Sequence, residues 1–344
     1  MKKMFAIVFS MTFFVTSCGG SSKTVGSIEN NTSSKNTEND DSIILDFGIT
    51  AGVKSNEYYA LKHLDELLIE KSDGALKLNI YPDSQLGEDI EMIEKCMNGE
   101  LDMTFAETGR LGEWVPDAEI FQLPYIFDNF EELQSLLFDS EEGQALLSKF
   151  EEELSFVFLD TAYNGTREVT SNFPIESVYD MEGMKLRVPN AKANIEAVRN
   201  IGAIPVVVPY VEVYKALQTG EVDGQGNPLS SIKASKFYEV QSHIALTNHI
   251  LNDQGYLISK STYNSLPTNL REILVEAVQE TTEYHSQLFM EDESNLIDFF
   301  KGEGVVVTNP DMSDAKAMMQ PSYDRYLSEC SEVGQALYDK LMNE

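Results

Sequence analysis

The sequence predicts an α/β fold in two lobes with a cleft between them. Three observations predict it. A β-α-β-α-β rhythm opens the folded region, a similar rhythm returns past residue 184, and a helical stretch near residue 267 exceeds what one small lobe needs. Strands alternating with helices favour a largely parallel sheet covered on both faces. In open α/β sheets ligands bind beyond the carboxyl ends of the strands. A cleft between two such units is therefore the expected site.

The elements follow in order. Ser42 to Thr50 alternates and is rich in β-formers, so it reads as a strand. Ser55 is placed to cap a helix running to about Lys71, with Leu61, Leu64, Leu67 and Leu68 on one face. Ala75 to Tyr81 reads as a strand, Glu88 to Asn98 as a helix, and Leu101 to Ala106 as a strand. In the second unit, Lys185 to Val188 is a short strand ended by Pro189. Ala191 to Asn200 is a helix and Ala203 to Val208 a strand. Val211 to Thr219 is a helix stopped by Gly220, and Val222 to Gln225 a strand. Pro267 to Phe300 has helical periodicity throughout. About 30 helical residues extend roughly 45 Å. Two readings stand: two helices with an unmarked break, or one element running along both lobes.

Composition narrows the function. The chain has 344 residues, 42% apolar and 24% charged, which suits a globular body with a large core. Its formal net charge is −32. A surface that acidic argues against nucleic-acid backbone or an anionic membrane face as partner.

The N-terminus reads as an address. Met1-Lys2-Lys3 is basic, and Met4 to Phe14 is an apolar run of 11 residues. That is too short to span a bilayer, which takes about 20 residues, but it suits the core of an export signal. Val15-Thr16-Ser17-Cys18-Gly19 follows and looks like a bacterial lipobox, with Cys18 as the lipidated first residue of the mature chain. An ordinary signal peptide with an incidental Cys is the plainer reading. Residues 18–43, rich in Ser, Asn, Thr and Gly, read as a lipidated Cys and flexible linker after a signal peptide at 1–17. The expected location is extracytoplasmic, touching membrane only through the lipid. Cys96 and Cys330 remain, and their spacing alone cannot establish a disulfide.

Familiar catalytic signatures are absent. There is no P-loop, no HExxH and no Gly-x-Ser-x-Gly elbow, and Gly224-Gln225-Gly226 lacks the third glycine of a dinucleotide fingerprint. His243 and His249 are six apart, so they do not share a helical face as paired ligands would. The scattered Cys and His have no zinc spacing. No metal and no cofactor are expected. Paired acids such as Glu88-Asp89 are common in a chain with 57 carboxylates, so a carboxylate-dependent glycoside hydrolase is only a remote alternative.

Arginine is more informative because it is scarce. Arg167 lies in Gly165-Thr166-Arg167, and Arg187 lies near the end of the strand Lys185 to Val188. A guanidinium fork matches a carboxylate bidentately. The alternative for either residue is a structural ion pair with one of the many acids.

Several stretches go beyond periodicity. They include Tyr81-Pro82-x-Ser84-Gln85-Leu86-Gly87 and Met184-Lys185-Leu186-Arg187-Val188-Pro189-Asn190-Ala191. Further on come Glu212 to Gly220, Val222-Asp223-Gly224-Gln225 with Asn227-Pro228, and Lys236 to Gln241. Together they resemble the extracytoplasmic receptor of a tripartite ATP-independent periplasmic (TRAP) transporter, from about residue 43 to the C-terminus. Ala162 to Arg167, Thr170-Ser171-Asn172, Thr104 to Glu107 and Thr247 to Gln254 are most similar to receptors for sialic acid (N-acetylneuraminate).

The resemblance implies a periplasmic-binding-protein-like clamshell. Each lobe would be a mixed sheet flanked by helices, with a long helix spanning both. Lobe I would take residues 44–164 plus about 253–292, and lobe II residues 165–252 plus about 293–344. It implies capture of a small carboxylated sugar, not catalysis, and delivery to TRAP permease subunits, with the receptor a monomer. Arg187 would grip the carboxylate, with Arg167 and Asn227 supporting it. Asn190 and Tyr210 would line the pocket from lobe II. Asp89, Glu107 and Arg110 would meet the hydroxyls from lobe I, and Gln254 would lie near the hinge. Thr50 stands where an Asn is usual, Tyr210 where a Phe is usual, and Gly226 where a Glu is usual. Thr50 has the shorter reach, and the Tyr210 hydroxyl is expected in the pocket wall. Another sugar acid or organic acid (a uronate, ketogulonate or dicarboxylate) is the competing ligand class.

Overall fold

The computed structural model describes residues 42–343. The expected signal peptide, Cys18 and the linker as far as residue 41 lie outside the described residues.

Eleven strands are present among the described residues. They are β1 (Ile43–Gly48), β2 (Leu76–Tyr81), β3 (Met103–Ala106), β4 (Phe156–Thr166), β5 (Glu168–Ser171), β6 (Lys185–Val188), β7 (Ile204–Val207), β8 (Gly224–Asn227), β9 (His243–Ala245), β10 (Leu251–Ser259) and β11 (Val306–Thr308). They form a five-stranded sheet in the order β2-β1-β3-β10-β4 and a six-stranded sheet in the order β11-β9-β5-β8-β6-β7.

The α-helices begin with α1 (Asn56–Lys71), α2 (Asp89–Asn98), α3 (Phe130–Phe138), α4 (Glu141–Glu153), α5 (Lys192–Asn200) and α6 (Val213–Thr219). The remainder are α7 (Leu229–Ala234), α8 (Lys260–Ser265), α9 (Thr268–Gly302), α10 (Ala315–Met318), α11 (Gln320–Glu329) and α12 (Glu332–Asn343).

Local chemistry explains the first helix well. The Ser55 hydroxyl accepts the Tyr58 amide at 3.2 Å, which starts α1. Leu61, Leu64 and Leu68 are fully buried on its inner face against the first sheet. The expected strand at Val222 to Gln225 is displaced to Gly224–Asn227. Val222 instead packs in a core with Val213 and Leu217 of α6, so packing against the helix sets where the ladder begins.

Both sheets are mixed rather than largely parallel. β1, β2 and β3 pair in parallel, as do β6, β7 and β8. β10 runs antiparallel to β3 and β4, and β5 runs antiparallel to β8 and β9. The antiparallel strands are those that pass between the sheets. Only Arg167 separates β4 from β5, and only residues 246–250 separate β9 from β10. The two passages lie side by side. Arg167 donates its amide to the Ile250 carbonyl at 2.8 Å, and His249 donates its own to the Arg167 carbonyl at 3.3 Å. A strand that continues into the next sheet needs no βα crossover, so the rhythm that predicts parallel pairing does not apply to it.

Gly165 sits at this passage with φ +85°. A Cβ there would stand 2.7 Å from Pro228 Cβ, so the close approach of Pro228, just past β8, requires glycine.

α9 is a single helix of 35 residues, about 53 Å long at 1.5 Å per residue. Its sequence contains neither Pro nor Gly before Gly302, so nothing breaks its hydrogen-bond ladder. Leu274, Ala277 and Val278 pack with Leu61 and Tyr256 in the core of the first sheet. Leu296 and Phe300 pack with Leu217 and Ile244 in the core of the second. One element therefore runs along both. The C-terminal helices join the first sheet's surroundings: Tyr323, Tyr326 and Leu337 share a core with Leu133, Phe121 and Phe150. Cys96 and Cys330 are free.

Candidate functional site

Parallel strands point their carboxyl ends, and the loops that follow, toward one side. In the first sheet Thr50 follows β1, Asp89 opens the helix after β2, and Glu107 and Arg110 follow β3. In the second, Asn190 follows β6, Tyr210 follows β7 and Asn227 closes β8. Arg187 lies within β6, its neighbours Leu186 and Val188 buried, and Gln254 lies on β10. These residues and Arg167 all line one cavity of about 250 Å³. The ten ligand-binding candidates named from the sequence thus line one cavity.

The two central arginines differ in their surroundings. Arg167 is neutralised. Its Nη2 stands 2.7 Å from Glu107 Oε1, its Nε donates to Asn252 Oδ1 at 3.0 Å, and its Nη1 donates to the Gly226 carbonyl at 2.8 Å and to Asn227 Oδ1 at 3.3 Å. Arg187 is equally buried, with 4% of its surface exposed. Its Nε donates to the Val208 carbonyl at 2.9 Å. Among the described residues no carboxylate forms an ion pair with it. Burial, and then the charge of Arg167 beside it, push its pKa down to about 10, so it remains cationic at neutral pH. The Tyr210 ring lies 5.9 Å from its guanidinium carbon, a cation–π contact.

The first-sheet side is organised around Glu107. Burial raises its pKa, but Arg167 and Arg110 more than offset that, and the net direction is down. Asn252 donates to its Oε1 at 3.1 Å, and Gln122 donates to its Oε2. Arg110 pairs with Asp89 at 2.9 Å and reaches the Asn190 carbonyl of the other sheet at 3.5 Å. The Arg110 Nε is buried without an acceptor among the described residues, leaving a free donor in the wall.

The Tyr210 hydroxyl bonds with Ser235 Oγ at 2.7 Å, just past α7, and Tyr210 lines the cavity. Asn252 and Gln122 are missing from the sequence-derived set. Asn252 was legible in principle, since it shares the face of β10 with Gln254 at the strand period of two. Gln122 was not, because it comes from a 3₁₀ segment with no pattern linking it to Glu107.

The arrangement suits recognition of an anion bearing hydroxyls. An unneutralised, desolvated guanidinium offers a fork for a carboxylate. Asp89 and Glu107 offer acceptors and Arg110 a donor for polar groups at the other end. Among the described residues no cluster of His, Cys, Asp and Glu fits a metal ion. No helix there is long and apolar enough to cross a membrane.

Comparison with known proteins places these features in context. The family model described as bacterial extracellular solute-binding protein, family 7, matches residues 47–329. The chain is 44% identical over 297 residues to the sialic acid-binding periplasmic protein SiaP of Vibrio cholerae, covering 86% of this chain and 91% of that one. It is 32% identical to the 2,3-diketo-L-gulonate-binding periplasmic protein of Escherichia coli, covering 78% and 81%. Among solved structures, the sugar acid binding protein of Advenella mimigardefordensis in complex with galactonate superposes with a TM-score of 0.82. It shares 27% identity, covering 88% of this chain and 98% of that one.

Proposed function

The chain belongs to family 7 of the bacterial extracellular solute-binding proteins, and from that premise we propose that it captures a carboxylated sugar, sialic acid, outside the cytoplasm and delivers it to a TRAP permease. The observation that carries this reading is Arg187: a buried guanidinium in the cavity wall that no carboxylate among the described residues pairs with. The 44% identity to a sialic acid-binding relative supports the choice of sugar.

In this reading the ligand carboxylate lies on the Arg187 fork, with Arg167 and Asn227 beside it. Hydroxyls and the side chain meet Glu107, Asp89 and Arg110. Asn190, Tyr210, Thr50 and Gln254 complete the wall. Such a ligand touches both sheets, so it favours the state in which they close on it. Each charge-assisted hydrogen bond contributes about 1.5–3 kcal/mol net. The −32 body repels an anion at long range, but screening over about 8 Å at physiological salt leaves the local arginines in control.

The moving lobes are the units around the two sheets, with α11 and α12 travelling with the first. The hinge is the paired passage at Thr166–Arg167 and residues 246–250, with α9 as the third link. Capture proceeds without conversion of the ligand. Cys18 is the lipid anchor, and the receptor acts as a monomer.

A second reading keeps the same scaffold for another sugar acid. It is favoured by Thr50 and Tyr210, neither of which is the residue usual at its position in sialic-acid receptors, and by the 32% identity to a diketogulonate-binding relative. Calorimetry with N-acetylneuraminate, galactonate, 2,3-diketogulonate and succinate decides between them. Strong heat with N-acetylneuraminate alone is expected. Silence with it at high micromolar concentration, beside a clear response to another acid, transfers the assignment to that acid.

A further inference from the structure

Beside the two central arginines lies a small cavity of about 30 Å³. Arg167, Arg187 and Pro189 line both this space and the cleft, so these residues form part of the partition between them. The other walls include Asn194 of α5, Gly226 and His249. Position 226 keeps this space open. A Cβ there would stand 3.2 Å from His249 Nε2, and a longer side chain would have to enter the cavity.

Three polar groups belong to the walls. Asn194 is 5% exposed, and its Oδ1 receives no hydrogen bond among the described residues. Arg187 uses its Nε on Val208, and no acceptor among the described residues engages its terminal nitrogens. His249 bonds through Nδ1 to Thr247 Oγ1 at 2.8 Å, which leaves Nε2 toward Gly226.

We propose that this cavity is a site for one ordered water, which donates to Asn194 Oδ1, accepts from Arg187, and thereby holds the guanidinium fork toward the cleft. The volume suits a single water, and such a site needs two to four polar partners. The chemistry selects a neutral occupant. Two arginines in the wall repel a cation, and the bare Asn194 carbonyl disfavours an anion. A molecule that both donates and accepts satisfies the walls, and leaving Oδ1 unmet would forfeit its hydrogen bond inside the protein. Asn194 is then a positioning residue that acts on the ligand through the water and Arg187. This rests on the reading of Arg187 as the carboxylate anchor.

The test uses a high-resolution crystal structure of the wild-type protein together with calorimetry on three variants. Density is expected about 2.7–3.2 Å from Asn194 Oδ1. Asn194→Leu, which removes the acceptor and fills the space, is expected to weaken N-acetylneuraminate binding about tenfold, the equivalent of one lost hydrogen bond. Asn194→Ser keeps an oxygen and room for water, and it is expected to recover binding to within about threefold of wild type. A purely structural role would lower the melting temperature of both variants without separating their affinities. Gly226→Ala narrows the cavity without touching Asn194 and is expected to weaken binding in the same direction.

A dry cavity overturns the inference. So does Asn194→Leu binding as tightly as wild type, or a chloride-dependent affinity with a halide peak at the site. If wild type binds none of the sugar acids, the proposed function falls instead, and the density still decides the water.

Discussion

Glu107 Oε1 lies 2.7 Å from Nη2 of Arg167, and this pairing leaves Arg187 as the cation in the cleft without a carboxylate partner among the described residues. Two buried guanidiniums side by side repel each other. Neutralising one of them lets the other keep its charge for a ligand. The acid that quiets Arg167 comes from the first sheet, while Arg167 itself stands at the passage into the second. The contact therefore also ties the cleft to the passage between the two sheets.

Arg187→Ala is expected to abolish capture while sparing the fold. The cost to sugar-acid binding should be on the order of 2–5 kcal/mol, because the ligand carboxylate would be desolvated without its partner. Calorimetry and a melting curve on the same sample check it. Unchanged affinity would remove Arg187 from the role of anchor.

Tyr210 divides into two parts that substitution can separate. Its hydroxyl is committed to Ser235 and its ring to Arg187. Tyr210→Phe should hold ligand affinity within about twofold, whereas Tyr210→Ala should lower it several-fold through loss of a contact worth about 0.5–2 kcal/mol. A large loss on Tyr210→Phe would show that the hydroxyl reaches the ligand after all.

Glu168, which opens β5 beside the passage between the sheets, should make the stability of the fold depend on pH. It is 4% exposed, its Oε2 accepts the Asn248 amide at 3.0 Å, and burial, with Glu293 nearby adding to it, lifts its pKa from 4.5 to about 8. The folded protein therefore holds its proton at neutral pH, where the unfolded chain has lost it. Its contribution to stability is complete below the unfolded value and is lost as pH rises through about 8. Glu168→Gln should match wild type in acid and exceed it in melting temperature at pH 9, with the gap opening between. Parallel melting curves across that range would contradict the assignment. His249 and His285, each held near 3 by burial, titrate in both proteins and cancel from the difference.

Cys96 and Cys330 should behave as separate thiols. Cys96 is fully buried, and burial raises its pKa, while Cys330 is partly exposed. Iodoacetamide followed by peptide mapping should label Cys330 first and Cys96 only on denaturation. A reductant should leave the melting temperature unchanged, and a drop would mean that a disulfide forms.

The sequence by itself determined the local elements. Helix α1 was legible because Ser55 caps it and leucines repeat on one face. The path from β1 to β3 was legible because period two and period 3.6 alternate cleanly there. The ten ligand-binding candidates came from the family resemblance, and all ten line one cavity.

The tertiary structure alone decided the rest. The passage from β4 to β5 carries no sequence mark, since a strand entering a second sheet looks like a strand that continues. The start of β8 depended on where Val222 finds its core. That Arg167 is neutralised and Arg187 is not depended on Glu107, Asn252 and Gln122, which are far from the arginines along the chain. Charge compensation is a through-space property, and one-dimensional order carries no distance between those groups.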